Sequence, residues 1–256
     1  MKRAYSDLIA ELLPLFPCVA IVGVRQCGKT TLLQKLPEPW RIFDMERVGD
    51  FQLISRDPDL FFRLHGDAVA LDEAQLLPSI FPALRVAIDA DRNRCGRFII
   101  TGSSSPELIA AISESLAGRV AIVELGPLSS SEAFAEPVSD FYRMIQHQDD
   151  IQSLLALPNR IALDDLHQYW FRGGYPEPWI KHSSRFTKLW MQNYIQTYVN
   201  RDMVTVFPVL DRQKYQLFIK SCATPPTMVP TASIFCACII FFCNDSARVK
   251  SSCTAT

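Results

Sequence analysis

Five short apolar runs divide the first half of the chain, and segments with helical spacing lie between them. The runs cover residues 18–22, 40–43, 68–71, 98–100 and 120–123. The run at 68–71 is short and continuous rather than alternating, as expected of a strand that is covered on both faces of a sheet. Strands that alternate with helices predict an α/β fold class, with a mostly parallel five-stranded sheet and helices on both of its faces.

Polar residues and prolines mark where several of the intervening helices begin. The Asp57-Pro58 pair places an N-cap directly before a proline at the first helical position. Ser79 and Ser105 are positioned to cap the two helices that follow them. An amphipathic helix over residues 4–13 is predicted to precede the first strand, because its apolar residues recur with helical spacing.

The apolar pattern loosens after residue 130 and divides the chain into regions. We place an α/β domain over residues 1–130, a linker over 131–160 and a helix-rich domain over 161–220. The last of these includes a long predicted helix from about residue 184 to 204. Composition then changes abruptly, because residues 221–256 contain no Leu, Gly or Glu but five of the eight cysteines.

The turn after the first predicted strand carries the most specific motif of the chain, G-x-x-x-x-G-K-[ST]. Its candidate ligand-binding residues are Gly23, Val24, Arg25, Gln26, Cys27, Gly28, Lys29, Thr30 and Thr31. Glycines let the backbone approach phosphates closely, and the helix that follows presents its positive end to the same place. Lys29 could then reach the β- and γ-phosphates, and the Thr30 hydroxyl could ligate Mg²⁺. The alternative is a strand-to-helix turn that holds no nucleotide.

The third apolar run ends in two acidic residues. Asp72 at the strand tip could hold Mg²⁺ through its water shell, opposite Thr30. Glu73, one residue further along, could accept a proton from a water that attacks the γ-phosphate. The alternative is that the two acids only mark where a buried strand meets solvent.

Three further residues are candidates for catalysis, each with a structural alternative. Thr101 or Ser103, at the end of the fourth run, could bond the attacking water or the γ-phosphate, or could only cap the next helix. Arg119 lies just before the fifth run. It could neutralise phosphate charge within its own chain or across a subunit contact, or it could form a surface ion pair.

Composition and charge narrow the classes of protein that remain. With 48% hydrophobic and 21% charged residues, the chain suits a soluble globular protein. A net charge of −1 gives no overall attraction to DNA, which is therefore a possible but unsupported partner. No apolar run approaches the ~20 residues of a membrane helix, and Glu11, Pro14 and Pro17 interrupt any signal peptide. We expect a cytoplasmic protein with no membrane partner.

Ordered sequence blocks resemble one known family. The blocks are Gly-x-Arg-Gln-x-Gly-Lys-Thr-Thr-Leu at 23–32, Leu-Asp-Glu-Ala-Gln at 71–75, Thr-Gly-Ser-Ser at 101–104, Leu-Ala-Gly-Arg at 116–119, Gly-Gly-Tyr-Pro-Glu at 173–177 and Tyr-Val-Asn-Arg-Asp at 198–202. From about residue 5 to 220 the chain resembles the prokaryotic AAA-type ATPases that carry an uncharacterised C-terminal domain. The resemblance implies a five-stranded ATPase core, a helical second domain, and ATP and Mg²⁺ as ligands.

The same resemblance supports particular residues of the site. The residues supported are Lys29, Thr30, Asp72, Glu73 and Arg119. The chain departs from the family at Val24, where proline is usual. This departure should alter the stiffness of the loop more than its chemistry. Cys27, inside the loop, is either an oxidisable thiol or a small filler residue.

These features lead to one leading hypothesis and two alternatives. The leading hypothesis is a Mg²⁺-dependent ATPase that hydrolyses ATP to ADP and phosphate, with a homo-oligomer and an unidentified protein client as further partners. The first alternative is a nucleotide-gated regulatory or DNA-associated module that binds ATP without hydrolysing it. The second is the inactive product of a truncated gene, in which residues 221–256 are out-of-frame coding and disordered; a genuine divergent tail would instead pack on the second domain.

Overall fold

Five parallel strands form one sheet at the centre of the α/β region. The computed structural model describes residues 1–137, 139–147, 150–198, 203 and 211–223 of the chain. The strands are β1 (Cys18–Gly23), β2 (Arg41–Asp44), β3 (Val69–Asp72), β4 (Phe98–Ser103) and β5 (Val120–Glu124). Their order in the sheet is β2-β3-β4-β1-β5, and every neighbouring pair is parallel. The predicted α/β fold with a five-stranded sheet is confirmed.

The position of a strand in the sheet decides how completely it is buried. All six residues of β1 and all four of β3 are buried, as their continuous apolar sequences predict. The edge strand β5 instead alternates, and Ile122 on it is half exposed. The prediction that the run at 68–71 is covered on both faces agrees with the full burial of β3, whereas the edge strand β5 has a neighbour on one side only.

Helices cover both faces of this sheet. In the first half of the chain they are α1 (Tyr5–Leu12), α2 (Lys29–Leu33), α3 (Val48–Arg56), α4 (Pro58–Leu64), α5 (Ile80–Asp89) and α6 (Pro106–Leu116). Asp57 and Ser105 cap α4 and α6 as predicted, since their side chains accept from the amides of Leu60 and Leu108. Ser79 makes no side-chain cap to α5, because its own backbone is already helical. Helix α3 has no counterpart among the predicted elements.

Alternate residues of each central strand point to two separate cores, as the two-residue period of a strand requires. Cys18, Ala20 and Val22 of β1 belong to the larger core, which α3, α4, α5 and α6 cover. Val19 and Ile21 belong to the smaller core, which α1 and α2 cover. Helix α2 therefore lies against the sheet directly beneath the loop that precedes it.

The second half of the described chain is entirely helical. Its helices are α7 (Ser130–Phe134), α8 (Phe141–Gln146), α9 (Ile151–Leu155), α10 (Leu163–Arg172), α11 (Pro176–Lys181), α12 (Ser184–Thr197) and α13 (Arg212–Ala223). The stretch predicted as a linker thus contains three short helices, and α11 was not predicted as a separate helix. The helix predicted from about residue 184 is present to Thr197, and most of its predicted remainder lies outside the described residues.

The chain divides into two compact units, Met1–Tyr194 and a unit that begins at Ile195. In the first unit, Trp179 of α11 is buried and its indole N–H donates to the Gly173 carbonyl at 2.7 Å. The break between the units lies beyond the predicted 131–160 linker, whose role as a domain boundary stays a prediction.

Two further expectations concern the C-terminal tail and membrane-spanning helices. The prediction that the tail over residues 221–256 is disordered is wrong for residues 221–223, which form the end of helix α13. The rest of the tail, residues 224–256, lies outside the described residues. Among the helices that are described, none combines the length and the apolar character that crossing a bilayer would require.

Candidate nucleotide-binding site

The phosphate-loop sequence lies at the carboxyl end of β1, between β4 and β5 in the sheet. Helix α2 begins at Lys29, directly after the loop. Gln26 and Gly28, on either side of Cys27, have left-handed φ values of 62° and 103°. Left-handed residues interleaved with ordinary ones make the backbone concavity known as an anion-binding nest. The loop therefore has the backbone form that binds phosphate.

Both fixed glycines of the motif have a structural reason here. The φ of Gly28 is one that residues with a Cβ rarely adopt. A Cβ on Gly23 would lie 2.3 Å from the carbonyl oxygen of Leu125, in the segment that follows β5. At its start the loop therefore packs against the backbone at Leu125, which leaves no room for a Cβ on Gly23. At its end, Gly28 has a backbone conformation that favours glycine.

Lys29 is held inside the loop rather than extended into solvent. Its side chain is 5% exposed, and Nζ donates to the carbonyls of Gly23 at 3.0 Å and Val24 at 3.2 Å. Thr30 and Thr31 are exposed at the start of α2. The motif thus brings a cation to the centre of the loop and leaves hydroxyls accessible beside it.

Cys27 is a buried filler in this loop. The residue is fully buried, and its Sγ lies 3.2 Å from where a Cβ on Gly23 would be. Burial raises the pKa of the Cys27 thiol, and the nearby charges of Lys29 and Arg3 offset that effect only in part. A protonated, inaccessible thiol is a poor nucleophile, so the geometry favours the filler role over the oxidisable one.

The acidic residues meet the phosphate loop at the same edge of the sheet. Thr101 Oγ1 donates to Asp72 Oδ1, and the Glu73 amide donates to Thr101 Oγ1 at 3.4 Å. Asp72 and Thr101 are 2% and 1% exposed. The register pairs Gly23 of β1 with Ser103 of β4, and β4 pairs in turn with β3. Since β4 alone separates the two motif strands, the acids lie beside the loop.

The hydroxyl residues at and after the end of β4 have two alternative roles by sequence, contact with the ligand site or capping of the next helix, and different residues fit each role. Ser105 caps α6. Thr101 instead bonds Asp72, and Ser103 is the last residue of β4, beside Gly23. Thr101 and Ser103 therefore lie beside Asp72, Glu73 and the phosphate loop, whereas Ser105 caps helix α6.

Gln75 is a site residue that the sequence analysis missed. Its Nε2 donates to Glu73 Oε2 from the short 3₁₀ turn Ala74–Leu76. Glu73 itself has a left-handed φ of 52°, which is uncommon for a residue with a Cβ. Gln75 lies inside one of the blocks that carry the family resemblance, and an amide two residues from a candidate base was the available signal.

Arg119 is not brought to the loop of its own chain. It precedes β5, whose first residue pairs with Cys18 at the amino edge of the sheet, whereas the loop follows Gly23. Five residues of strand separate these edges, about 16 Å at ~3.3 Å per residue. Arg119 forms a bidentate pair with Asp89, at 2.7 and 2.9 Å. The prediction that Arg119 could act within its own chain does not fit this placement.

Arg3 is a second residue that the motifs did not reveal. It is 7% exposed, although it lies two residues before the start of α1. Nη1 donates to the Cys27 carbonyl at 2.7 Å, and Nη2 to the Gly126 carbonyl at 2.6 Å. Nε donates to Glu132 Oε1 at 3.0 Å. No local sequence signal announces these contacts, because they join segments more than twenty residues apart.

Glu132 anchors this arrangement from α7. Its Oε1 also accepts from the Ala4 amide, and its Oε2 accepts from the Ser129 amide, each at 2.8 Å. Burial alone would raise the pKa of Glu132, but the amides of Ser129 and Ala4 and the Arg3 guanidinium hold that pKa below its usual range. The carboxylate is therefore ionised in the folded protein.

Replacing Glu132 with Gln should make the free energy of unfolding less dependent on pH in the acid range. A carboxyl whose pKa is lowered on folding stabilises the protein above its unfolded pKa of 4.5, and this contribution is lost as pH falls through the folded pKa. The free energy of unfolding of the wild type should thus decline more steeply below about pH 4.5 than that of Glu132→Gln. Denaturant titrations across this range measure it, with the exposed Glu107→Gln as control. Parallel acid limbs for Glu132→Gln and wild type would contradict the prediction.

The donor groups of this edge fit a nucleoside triphosphate with Mg²⁺. The left-handed residues Gln26 and Gly28 and the Lys29 ammonium suit a phosphate chain. The Thr30 hydroxyl and the Asp72 carboxylate are oxygen donors of the kind that Mg²⁺ takes.

A pocket of about 120 Å³ adjoins the loop. Its walls come from the N-terminal segment, α2, the turn after β5 and α11, and include Met1, Thr31, Leu32, Lys35, Leu128, Pro176 and Ile180. Several of these side chains are apolar. The helix-rich region thus supplies part of the surface beside the phosphate loop.

Comparison with known families matches two regions of the chain. Residues 16–134 match the model of an AAA domain, and residues 163–228 match a domain of unknown function (DUF8612). The second match runs a few residues past residue 220, where the resemblance of sequence blocks ends.

Two curated proteins are similar to most of the chain in sequence. Uncharacterised proteins of Mycobacterium tuberculosis and Mycobacterium bovis are each 34% identical to the chain over 204 residues. The match covers 79% of this chain and 40% of each relative, so the chain spans about two fifths of the length of these proteins.

Two solved structures match the chain at low sequence identity. A Walker-type ATPase of Pyrococcus abyssi is 17% identical with a TM-score of 0.46, and the match covers 79% of this chain and 73% of that one. The Thermotoga maritima RuvB Holliday-junction branch-migration motor is 20% identical with a TM-score of 0.40, covering 79% and 61%. From the two family matches, the chain joins an AAA domain to a C-terminal domain of unknown function.

Proposed function

We propose that the protein is a Mg²⁺-dependent ATPase that hydrolyses ATP to ADP and phosphate. The observation that carries this proposal is the meeting of two motifs at one sheet edge. The loop with Lys29 follows β1. Asp72 ends β3 and Glu73 follows it, with Thr101 of β4 bonded to both. A site that only bound phosphate would need the loop alone. The added acids supply what hydrolysis requires.

Each residue of this edge has a distinct part in the proposed reaction. The loop amides and Lys29 hold the phosphate chain and neutralise charge that develops on it. Thr30 and Asp72 would hold Mg²⁺, which supplies charge stabilisation to the β- and γ-phosphates. Glu73 takes a proton from the attacking water, and Gln75 orients its carboxylate. The bond from water to the γ-phosphorus forms as the bond to the β–γ bridging oxygen breaks.

The pocket beside the loop is the proposed place of the nucleoside. It adjoins Thr31, at the end of the phosphate-binding sequence, and its Leu128, Pro176 and Ile180 walls are apolar. Apolar pockets with few polar groups are the usual form of small-molecule sites. Because ATP is the proposed substrate, we place the protein in the cytoplasm.

Phosphate release from MgATP by the purified chain, with and without DNA, is the direct test. Turnover that depends on Lys29 and Glu73 supports an ATPase. Tight MgATP binding without any turnover would instead support a nucleotide-gated module. Stimulation by DNA would show a partner that the net charge of −1 does not favour.

Arg119 is proposed to act across a boundary between two copies of the chain, since it lies at the edge opposite its own loop. Arg119→Ala should then lower turnover by about 10³-fold or more while MgATP binding is kept, because such an arginine stabilises the transition state. Mixing Arg119→Ala with Glu73→Gln protein should recover turnover, since one interface combines an intact arginine with an intact base.

The matched control for this experiment is Asp89→Asn, which removes the ion pair but keeps the arginine charge. Asp89→Asn should retain turnover if Arg119 acts on a neighbouring site. Equal, small effects of Arg119→Ala and Asp89→Asn, with no recovery on mixing, would assign Arg119 to its surface ion pair alone.

A further inference from the structure

The bond between Arg3 and the Cys27 carbonyl acts on the peptide that leads into Gly28. The carbonyl and the next N–H of a trans peptide point in opposite directions. A guanidinium that holds the Cys27 oxygen at 2.7 Å therefore fixes the direction of the Gly28 N–H as well. Gly28 belongs to the phosphate-binding sequence and has a left-handed φ. Because glycine has no Cβ, its backbone can also adopt other conformations readily, so an outside contact is needed to fix this peptide.

Arg3 is itself held firmly enough to serve as a fixed point. It is 7% exposed and bonds three further oxygen atoms besides that of Cys27. Two of these are carbonyls, Gly126 at 2.6 Å and Pro127 at 3.4 Å, and the third is the Glu132 carboxylate. Glu132 is tied to the backbone at Ala4 and Ser129. The guanidinium therefore has little freedom to follow a moving loop.

From this geometry we propose that Arg3 is a positioning residue for phosphate binding, which presets the Cys27–Gly28 peptide so that its N–H faces the phosphate chain. Arg3 also lines the pocket beside the loop, but each of its three guanidinium nitrogens already donates to a protein oxygen, so we place its effect in the loop. A loop that is already ordered loses less conformational freedom when it binds, so affinity rises. This proposal rests on the proposed function only in taking a nucleoside triphosphate as the ligand.

Arg97 provides a matched control elsewhere in the fold. It is also 7% exposed, and it also donates to two backbone carbonyls, Gly66 at 3.0 Å and Ala87 at 2.9 Å. It directly precedes β4, at the amino edge of the sheet, away from the phosphate loop. A purely structural effect of losing a buried arginine should appear equally in Arg3→Lys and Arg97→Lys.

The test compares equilibrium binding of MgATP to wild type, Arg3→Lys and Arg97→Lys, below the unfolding transition of each. Lysine keeps the charge but cannot bond four oxygens at once in a planar fork. Arg3→Lys should weaken MgATP by about tenfold, the effect of one charge-assisted hydrogen bond, while Arg97→Lys should bind as the wild type does. A wild type that does not bind MgATP would refute the proposed function. Wild-type affinity in folded Arg3→Lys would refute only the role of Arg3.

A second ligand and a second variant sharpen the result. Magnesium tripolyphosphate lacks the nucleoside. If Arg3 acts on the phosphate loop, the affinity for this ligand should fall in Arg3→Lys by the same factor as the affinity for MgATP. A loss confined to MgATP would overturn the proposal, because it would place the effect in the nucleoside pocket. If Arg3→Lys fails to fold, the double variant Arg3→Met/Glu132→Gln removes the buried pair without leaving one charge unpaired. That variant should bind both ligands about tenfold more weakly, and wild-type affinity in it would overturn the proposal.

Discussion

Lys29→Ala should weaken MgATP binding by at least a hundredfold, to the point where it is no longer measurable at ordinary concentrations. The Lys29 ammonium lies at the centre of the loop, bonded to the Gly23 and Val24 carbonyls and 5% exposed. It is the cation of the motif that can meet two phosphates at once. Titration calorimetry or a fluorescent ATP analogue measures the loss.

Two variants separate the charge of Lys29 from its bulk. Lys29→Met keeps most of the buried stem, so it should retain the wild-type free energy of unfolding more closely than Lys29→Ala while losing binding equally. Lys188→Ala, on an exposed position of α12, removes a lysine away from the site and should change neither quantity. Near-wild-type affinity in folded Lys29→Met would remove this loop from the proposed site.

Glu73→Gln should leave MgATP affinity unchanged and reduce turnover by about 10²–10⁴-fold, the range expected for the loss of a general base. The amide has nearly the same shape as the carboxylate, so Thr101 should keep its bonds to Asp72 and to the Glu73 amide. Only the capacity to take a proton from water is removed. Single-turnover and steady-state phosphate release measure the effect.

Glu107→Gln is the matched control, because it makes the same change at an exposed residue in the first turn of α6. It should turn over ATP at the wild-type rate. Undiminished turnover in Glu73→Gln would show that another group accepts the proton. A loss of both affinity and turnover would instead assign Glu73 to ligand binding.

The sequence predicts well the parts of this site that depend on neighbours in the chain. The phosphate loop follows one continuous pattern from Gly23 to Thr30, so the places of Lys29 and Thr30 in it are set by spacing alone. The strands β1 and β3 are visible in the sequence because burial on both faces leaves a continuous apolar run. β5 shows the limit, since nothing in its sequence marks it as an edge where Ile122 meets solvent.

Parts of the site that depend on contacts between distant segments could not be predicted in this way. Arg3 bonds Cys27 and Glu132 from a segment that reads only as the start of an amphipathic helix. Gln75 becomes meaningful only once Glu73 is seen to turn its carboxylate back toward it. Arg119 is different, because a residue just before a parallel strand must lie at the amino edge, and that conclusion was available from the sequence.

The opposite placement of Arg119 and the phosphate loop also restricts the symmetry of any assembly. If an arginine of one copy completes the site of another, the contact joins two different surfaces, one at each edge of the same sheet. A two-fold dimer can satisfy this contact only if both edges of each copy lie in one interface, with the two sheets side by side and running in opposite directions. In any larger assembly each copy would offer its arginine edge to one neighbour and its loop edge to another. Repeating that contact closes a ring when the rotation between copies divides a full turn, and otherwise it builds an open helical filament.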